Sequence, residues 1–251
     1  METTAKHKHV AVWHDGCLDN QTGIDSKVAI RKWCPAPGDA VFERLDDKKN
    51  VFVGEIQAEL YTSLTKRAFE GIVEYQGPES MPVLNSVLCS IASHETILNL
   101  TSRTAYGLAN AERFCEMLSR RIDLQEEHRL ELLIILQEAI ANAVLHGNLE
   151  VESAPLEEGI PALEKQYNEL EQKISDSALS DRRVEVTASW NQPKLTVCIT
   201  NEGPGYDADK QHHIPSDAPI RGMELIRSLT DRIEIEKKGR QLKLFLRLPV
   251  D

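Results

Sequence analysis

The run LQEAIANAVLHGN, residues 136–148, sets a carboxylate, an amide and an imidazole four residues apart, at Glu138, Asn142 and His146. On a helix that spacing stacks the three on one face. A carboxylate can take a proton from a nucleophile, an amide oxygen is a hard, neutral ligand for a divalent cation, and an imidazole can serve either purpose. A face that is merely solvated carries lysine and glutamate at many positions. Here Leu133, Ile134, Leu136, Ile140, Ala141, Val144 and Leu145 cover much of the rest. Ala139, Ala141 and Ala143 leave room for a group to approach the row, and Gly147 is read as the close of the helix.

The elements that must hold this row are legible around it. Thr96–Leu100 reads as a strand, and Ala105–Arg120 and Leu124–Leu145 as two helices. Asp123 is expected to cap the second helix, with Glu126 completing a capping-box-like start. RVEVTASW alternates Val184, Val186, Ala188 and Trp190 on one face, and LTVCIT does the same with Leu195, Val197 and Ile199. RIEIE and QLKLFLRL form a further hairpin around KKGR. Helices followed by antiparallel hairpins predict an α+β fold, a two-layer α/β sandwich with helices on one face of a mixed, mainly antiparallel sheet.

Between Glu150 and Asp181 lies an acidic helical insert in which Leu163, Tyr167, Leu170 and Ile174 form an apolar stripe, with Pro161 at the helix start. The stripe is expected to pack on its own domain. A partner helix or a homodimer is the other arrangement it allows. Residues 1–92 read as a small α/β unit: VAVW, VAI and NVFVG as strands, Ala58–Glu70 as a helix, and Tyr75–Pro82 as a turn or linker. A degenerate receiver-like module is one reading of that unit, although the sequence shows no acidic pocket for it. Residues 93–251 form the second domain, with the insert at 150–181.

Bulk properties exclude several classes. The 251 residues are 41% hydrophobic and 27% charged, ordinary for a globular protein. No uninterrupted apolar run approaches the ~20 residues of a membrane span, and the start METTAKHKHVAVWHDG lacks the apolar core of a secretory signal. No membrane association is expected, and the protein is read as cytoplasmic. A net charge of −11 argues against nucleic acid as a partner, since phosphate-dominated binding needs basic surface. Five scattered cysteines without a CxxC pair suit reduced, packed thiols. His7, His9 and His14 lack a clear fourth ligand for a metal. Glycosylation triplets at Asn20 and Asn99 are read as chance matches.

Glu138-x-x-x-Asn142-Ala143-x-x-His146-Gly147 resembles the N box of the Bergerat-fold (GHKL, histidine-kinase-like) ATPases, the superfamily of gyrase B subunits and histidine kinases. NEGPGYD, residues 201–207, resembles its adenine-site box, usually Asp-x-Gly-x-Gly. RGMELIRSLTD, residues 221–231, resembles the lid-and-helix box, and KKGRQLKLFL the final glycine turn and strand. The boxes stand in the family's order and the resemblance covers roughly residues 95–249. The compact ending, and the HGNLE…DRRVEV bracket around the insert, look like the anti-sigma-factor serine kinases of bacterial partner-switching systems.

That resemblance implies ATP and Mg²⁺ as cofactors, with Asn142 as metal ligand and Glu138 as the catalytic base that orients or deprotonates water or a serine hydroxyl. A carboxylate beside a triphosphate has its proton affinity raised, which suits a base. Asn201, Gly203, Gly205, Arg221 and Gly222 would bind the nucleotide: the glycines by leaving space under the base, Arg221 and the helix start at Gly222 by meeting phosphate. His146 and Gly147 would shape the helix exit, and Gly239 a hairpin turn. The implied activity is serine/threonine phosphorylation of an anti-sigma-factor antagonist. The alternatives are a degenerate, nucleotide-weak module that binds a sigma factor or antagonist, and a histidine-kinase-related fragment. The last is suggested by SHET at residues 93–96, but His94 precedes Asn142 too closely for a phosphoacceptor hairpin.

Two positions depart from the family pattern. Asn201 replaces the adenine-binding Asp and keeps one oxygen able to accept from the exocyclic amine, so the lost charge would weaken binding by about 1–2 kcal/mol. Ile220 replaces a lid glycine and predicts a stiffer lid, because a β-branched residue avoids positive φ.

Overall fold

Parallel strands buried on both faces read as continuous apolar runs, and two such runs open the chain. The computed structural model describes residues 10–18, 24, 28–32, 48–67, 69–91, 95–152, 159–205 and 222–248. These fall into two units: the first contains residues 1–99, 113–123 and 187–189, the second residues 100–112, 124–186 and 190–251. The fold is α+β, with a mixed sheet and flanking helices.

In the first unit β1 (Val10–His14) and β3 (Lys49–Gly54) are buried almost throughout. With β2 (Ala29–Lys32), β4 (Gly71–Glu74) and β5 (Thr96–Thr101) they pair in parallel in the order β2-β1-β3-β4-β5. This is a doubly wound order whose direction switches between β1 and β3. Asp15 closes that switch point, its carboxylate accepting from the Cys17 N–H at 3.0 Å and the Glu55 N–H at 3.1 Å. Gly54 has no side chain there because a Cβ would lie 2.6 Å from Asp15 Oδ2. Val10, Val12, Val51, Val53 and Val73 form the core with Leu84, Val87, Leu88 and Ile91 of α2 (Met81–Ile91). Helix α1 (Ala58–Thr65) stops five residues short of the expected Glu70, and Gly71–Glu74, not foreseen as a strand, follows it. Residues 75–80 form a turn, one of the two readings of that segment, and Met81 and Pro82 already belong to α2.

His14 is 4% exposed, and its Nδ1 accepts from the Gly16 and Leu18 N–H groups at 3.1 and 3.4 Å, so it is a packed histidine. His7, His9, Asn20, His94, Ile220 and Arg221 lie outside the described residues. Asn99 is buried at 3% exposure, closed to glycosylation in the folded chain.

In the second unit α3 (Ser102–Gly107) and the start of α4 (Asn110–Ser119) replace the single helix expected over Ala105–Arg120. The break has a local cause: the Asn110 amide donates to the carbonyls of Ala105 and Leu108, at 2.5 and 3.1 Å, in competition with the helix ladder. Helix α5 (Glu126–Asn142) begins after Gln125 with no side-chain cap, so Asp123 does not cap it. After α6 (Gly159–Ser175) and α7 (Ser177–Ser180) come β6 (Arg183–Asn191) and β7 (Lys194–Asn201), then α8 (Gly222–Ser228), β8 (Arg232–Glu236) and β9 (Gln241–Arg247). Their strand order is β6-β7-β9-β8, with β7 and β8 both antiparallel to β9. Val184, Val186, Leu195, Val197 and Ile199 are buried, as their alternation predicts.

Residues 126–148 are long enough to span a bilayer, and an 18-residue stretch within them has a mean hydropathy of 1.4. Leu132, Ile135, Leu136, Ala139 and Ile140 form its buried face, while Leu130 and Ile134 on the other side are exposed, as in an amphipathic helix packed on one side.

One buried ion pair joins the starts of β3 and β4 to the end of α4 within the first unit. The Glu70 side chain, 3% exposed, meets Arg121 Nη2 at 2.6 Å and accepts from the Asn50 N–H at 2.5 Å, while Arg121 Nη1 donates to the Glu95 carbonyl at 3.1 Å. Removing only the cation strands a buried carboxylate. Arg121→Met is therefore expected to lower the unfolding free energy by about 3 kcal/mol in urea titration, and adding Glu70→Met to recover at least about half of that loss. A double variant that loses as much as the single would contradict the assignment.

Candidate functional site

Helix α5 carries Glu138 and Asn142 in its last turn, both half-buried. The helix does not close at Gly147. It widens into a π-helical turn over Ala143–Asn148, with the Leu149 N–H bonded to the Val144 carbonyl at 2.9 Å. Such widened turns recur at functional sites because they redirect side chains that a regular helix would keep in file. His146 is exposed, and its Nδ1 lies 2.6 Å from the Val151 carbonyl. A carbonyl can only accept, so Nδ1 carries the proton there. That bond occupies the imidazole in shaping the turn's exit.

Asn148 was not singled out in the sequence, yet the turn depends on it. It is fully buried, and its amide nitrogen donates to Ser102 Oγ at 2.7 Å and the Arg183 carbonyl at 2.9 Å. Its oxygen accepts from the Glu202 N–H at 2.8 Å. Glu202 returns the link, its carboxylate accepting from the Arg183 N–H at 2.7 Å. Arg182 Nη1 donates to the Asn148 carbonyl at 2.7 Å and to Glu150 at 2.6 Å. One side chain thus fixes the end of the α5 turn to the loop after β7. Its signal in the sequence was only an asparagine next to Gly147.

That loop presses directly on the turn. Gly203 is buried, and a Cβ there would lie 1.8 Å from the Gly147 carbonyl oxygen. A Cβ on Gly147 would lie 2.8–3.0 Å from the Asn201 side chain. Gly205, at φ 96°, sits where a Cβ would meet the Lys238 carbonyl at 2.1 Å. The second-box glycines are thus required by contact with protein backbone, a different reason from the nucleotide volume expected of them. Asn201 Oδ1 accepts from the Gly203 N–H at 3.1 Å, an Asx turn that orients its amide. The oxygen keeps a second lone pair. Lys237, Lys238 and Arg240 place three cations on the exposed turn beside Gly205, where Gly239, at φ 82°, takes its expected turn role.

The structure also brings Gly222, the first residue of α8, against α5. A Cβ on it would lie 2.3 Å from Glu138 Oε2 and 3.5 Å from Asn142 Nδ2. Glu138, Asn142 and Gly222 therefore form one group, and Gly147, Asn201 and Gly203 a second, joined by the π-helical turn. No phosphate fits between Gly222 and Glu138 as they stand, so a phosphate there lies beside the contact or displaces the start of α8. A cavity of about 280 Å³ among the described residues lies by the start of α5, lined by Leu124, His128, Leu132, Leu195 and Leu229 among others. Among the described residues no three His, Cys, Asp or Glu side chains converge as a metal cage. A divalent cation here would rely on Asn142 and on its own phosphate and water ligands.

The glycine contacts are testable by stability alone. Gly203→Ala is expected to cost at least about 2 kcal/mol, because backbone must move. Gly107→Ala, with nothing within 4 Å of the added atom, should stay within about 0.5 kcal/mol of the parent. Thermal unfolding of both variants checks the contrast, and equal behaviour would refute it.

A family model described as the histidine kinase-like ATPase domain matches residues 100–246. A comparison with curated proteins finds no match. The matched span contains the row on α5, the turn that Asn148 holds, the loop with Asn201 and Gly203, and the helix whose start meets Glu138. The chain belongs to the histidine kinase-like ATPase family, whose domain is an ATP-binding module.

Proposed function

We propose that the chain is an ATP-dependent serine/threonine protein kinase of a bacterial partner-switching system, passing the γ-phosphoryl group of ATP to a serine of an anti-sigma-factor antagonist. The observation that carries this is the meeting of Glu138 with Asn142 and Gly222 at the end of α5. A base beside a hard oxygen ligand is what phosphoryl transfer asks of a protein, since the reaction is chiefly positioning and charge neutralisation. Glu138 takes the proton of the serine hydroxyl as its oxygen bonds to the γ-phosphorus. The bond from that phosphorus to the bridging oxygen breaks, and its electron pair leaves with ADP. Mg²⁺, when bound, would neutralise phosphate charge, with the Asn142 amide oxygen as its protein ligand. Asn201 offers its second lone pair to the exocyclic amine of adenine, and Gly203 and Gly205 keep the loop close beneath the base. Arg221 is assigned to phosphate by the lid box alone.

A second reading is a nucleotide-weak module that acts by binding a sigma factor or antagonist without turnover. The packing of Gly222 onto Glu138 favours it, because nucleotide must then compete with a protein contact.

Calorimetric titration with ATP and Mg²⁺, followed by transfer from labelled ATP to antagonist domains, separates the two. The kinase reading expects Glu138→Gln to lower transfer about 10²-fold or more while ATP affinity stays within about threefold. Asn142→Ala is expected to lose the Mg²⁺-dependent part of the affinity. Absence of heat at millimolar nucleotide would remove the kinase and leave the binding module. Restoring the charge with Asn201→Asp should tighten ATP binding about tenfold. Loosening instead would mean that the Asx turn at Gly203 requires the amide.

A further inference from the structure

Helix α6 was expected to bury the stripe Leu163, Tyr167, Leu170 and Ile174 on its own domain, and it buries only the second half of it, with Leu170 inside and Ile174 half-buried. Ala162 joins Leu170 inside, at 7% and 8% exposure, while the first half of the stripe, Leu163 and Tyr167, stands 56% and 59% exposed, with Ile160 at 71%. The inner face is held by polar bonds to the preceding segment: Gln166 Nε2 donates to the Glu152 carbonyl at 2.9 Å, and Lys173 to the Glu150 carbonyl. Lys173 is also paired with Glu169 at 2.5 Å. Ile160, Leu163 and Tyr167 are spaced to share the adjoining strip, and Glu164 and Glu171 follow its outer edge. Tyr106 of α3, 45% exposed, lies within electrostatic reach of Tyr167. Three large apolar side chains in one row on a helix are more than the scattered exposure of an ordinary surface.

Charge decides what can cover the strip. Residues 150–181 hold nine acidic and two basic side chains, so they carry −7 of the chain's −11. A second copy of the same helix would bring a like charge against it. The strip is apolar enough to require a partner and too acidic to take itself.

We propose that the Ile160–Leu163–Tyr167 face of α6 is a docking surface for a basic amphipathic segment of another protein, whose apolar side covers the strip while its lysines or arginines meet Glu164 and Glu171. The surface lies outside the residues assigned to nucleotide. Docking there does not depend on phosphoryl transfer, and it is measured without ATP, so failure of the kinase reading leaves it standing.

The probe is a fluorescein-labelled peptide of about 18 residues, leucine and lysine in an amphipathic helical pattern, titrated with the full chain by anisotropy. The wild-type chain should bind it at least about tenfold more tightly than the matching leucine–glutamate peptide. Leu163→Ser with Tyr167→Ser should weaken binding about tenfold, with circular dichroism unchanged because both side chains are exposed. Glu164→Lys with Glu171→Lys should weaken it by a similar factor and flatten its salt dependence. Unchanged affinity in the Leu163/Tyr167 variant would overturn the proposal. So would a concentration-dependent dimer, or sedimentation with phosphatidylcholine vesicles, that the same two substitutions abolish, since the face would then belong to a second copy or to a membrane.

Discussion

The second unit depends on a buried amide. Asn148 has both ends of its side chain satisfied, two bonds from nitrogen and one to oxygen, in a place from which water is excluded. A buried polar group with its bonds made is worth about 1 kcal/mol per bond; with them unmade it costs more than that. The asymmetry makes the arrangement nearly all-or-none. The end of the α5 turn, the start of β6 and the loop after β7 are held together or none of them is. Because that turn connects the Glu138–Asn142–Gly222 group to the Gly147–Asn201–Gly203 group, the same clamp sets the distance between the two halves of the candidate nucleotide site.

The glycines complete the constraint. At Gly203 and Gly205 the neighbouring backbone comes closer than any side chain tolerates, so the loop after β7 is registered by contact as well as by hydrogen bonds. The site is in this sense built by close backbone packing around one amide. Its reacting side chains sit near the end of a helix whose inner face, Leu132, Ile135, Leu136, Ala139 and Ile140, is buried.

What could be read from the sequence follows the same physics. Strands with one buried face announce themselves by alternation, and Val184–Val186–Ala188 and Leu195–Val197–Ile199 did so. The parallel strands of the first unit, buried on both faces, offered only short apolar runs, and Gly71–Glu74 was too brief to notice. The row on α5 was legible because carboxylate and amide stand out in hydrocarbon. Asn148 was not, since a buried asparagine has the same letter as an exposed one and its partners lie 46 and 35 residues away in the chain. Helix ends were misjudged where side chains compete locally, as Asn110 does, or where a turn widens instead of stopping, as at Gly147. On α6 apolar spacing correctly marked a helix. It placed Leu170 and Ile174 inward correctly, but it could not say that the polar bonds of Gln166 and Lys173 would leave Leu163 and Tyr167 outside.

Paramagnetic broadening tests most directly whether the two groups are halves of one nucleotide site. Asparagine side-chain amides of the labelled chain would be recorded as Mn²⁺·ATP is added in place of Mg²⁺·ATP. The account predicts that the Asn142 amide is lost from the spectrum first and that Asn201 broadens next. Asn191, exposed at the far end of β6, should stay sharp. Saturable ATP binding that broadens neither Asn142 nor Asn201 would contradict it, whatever else the protein proves to do.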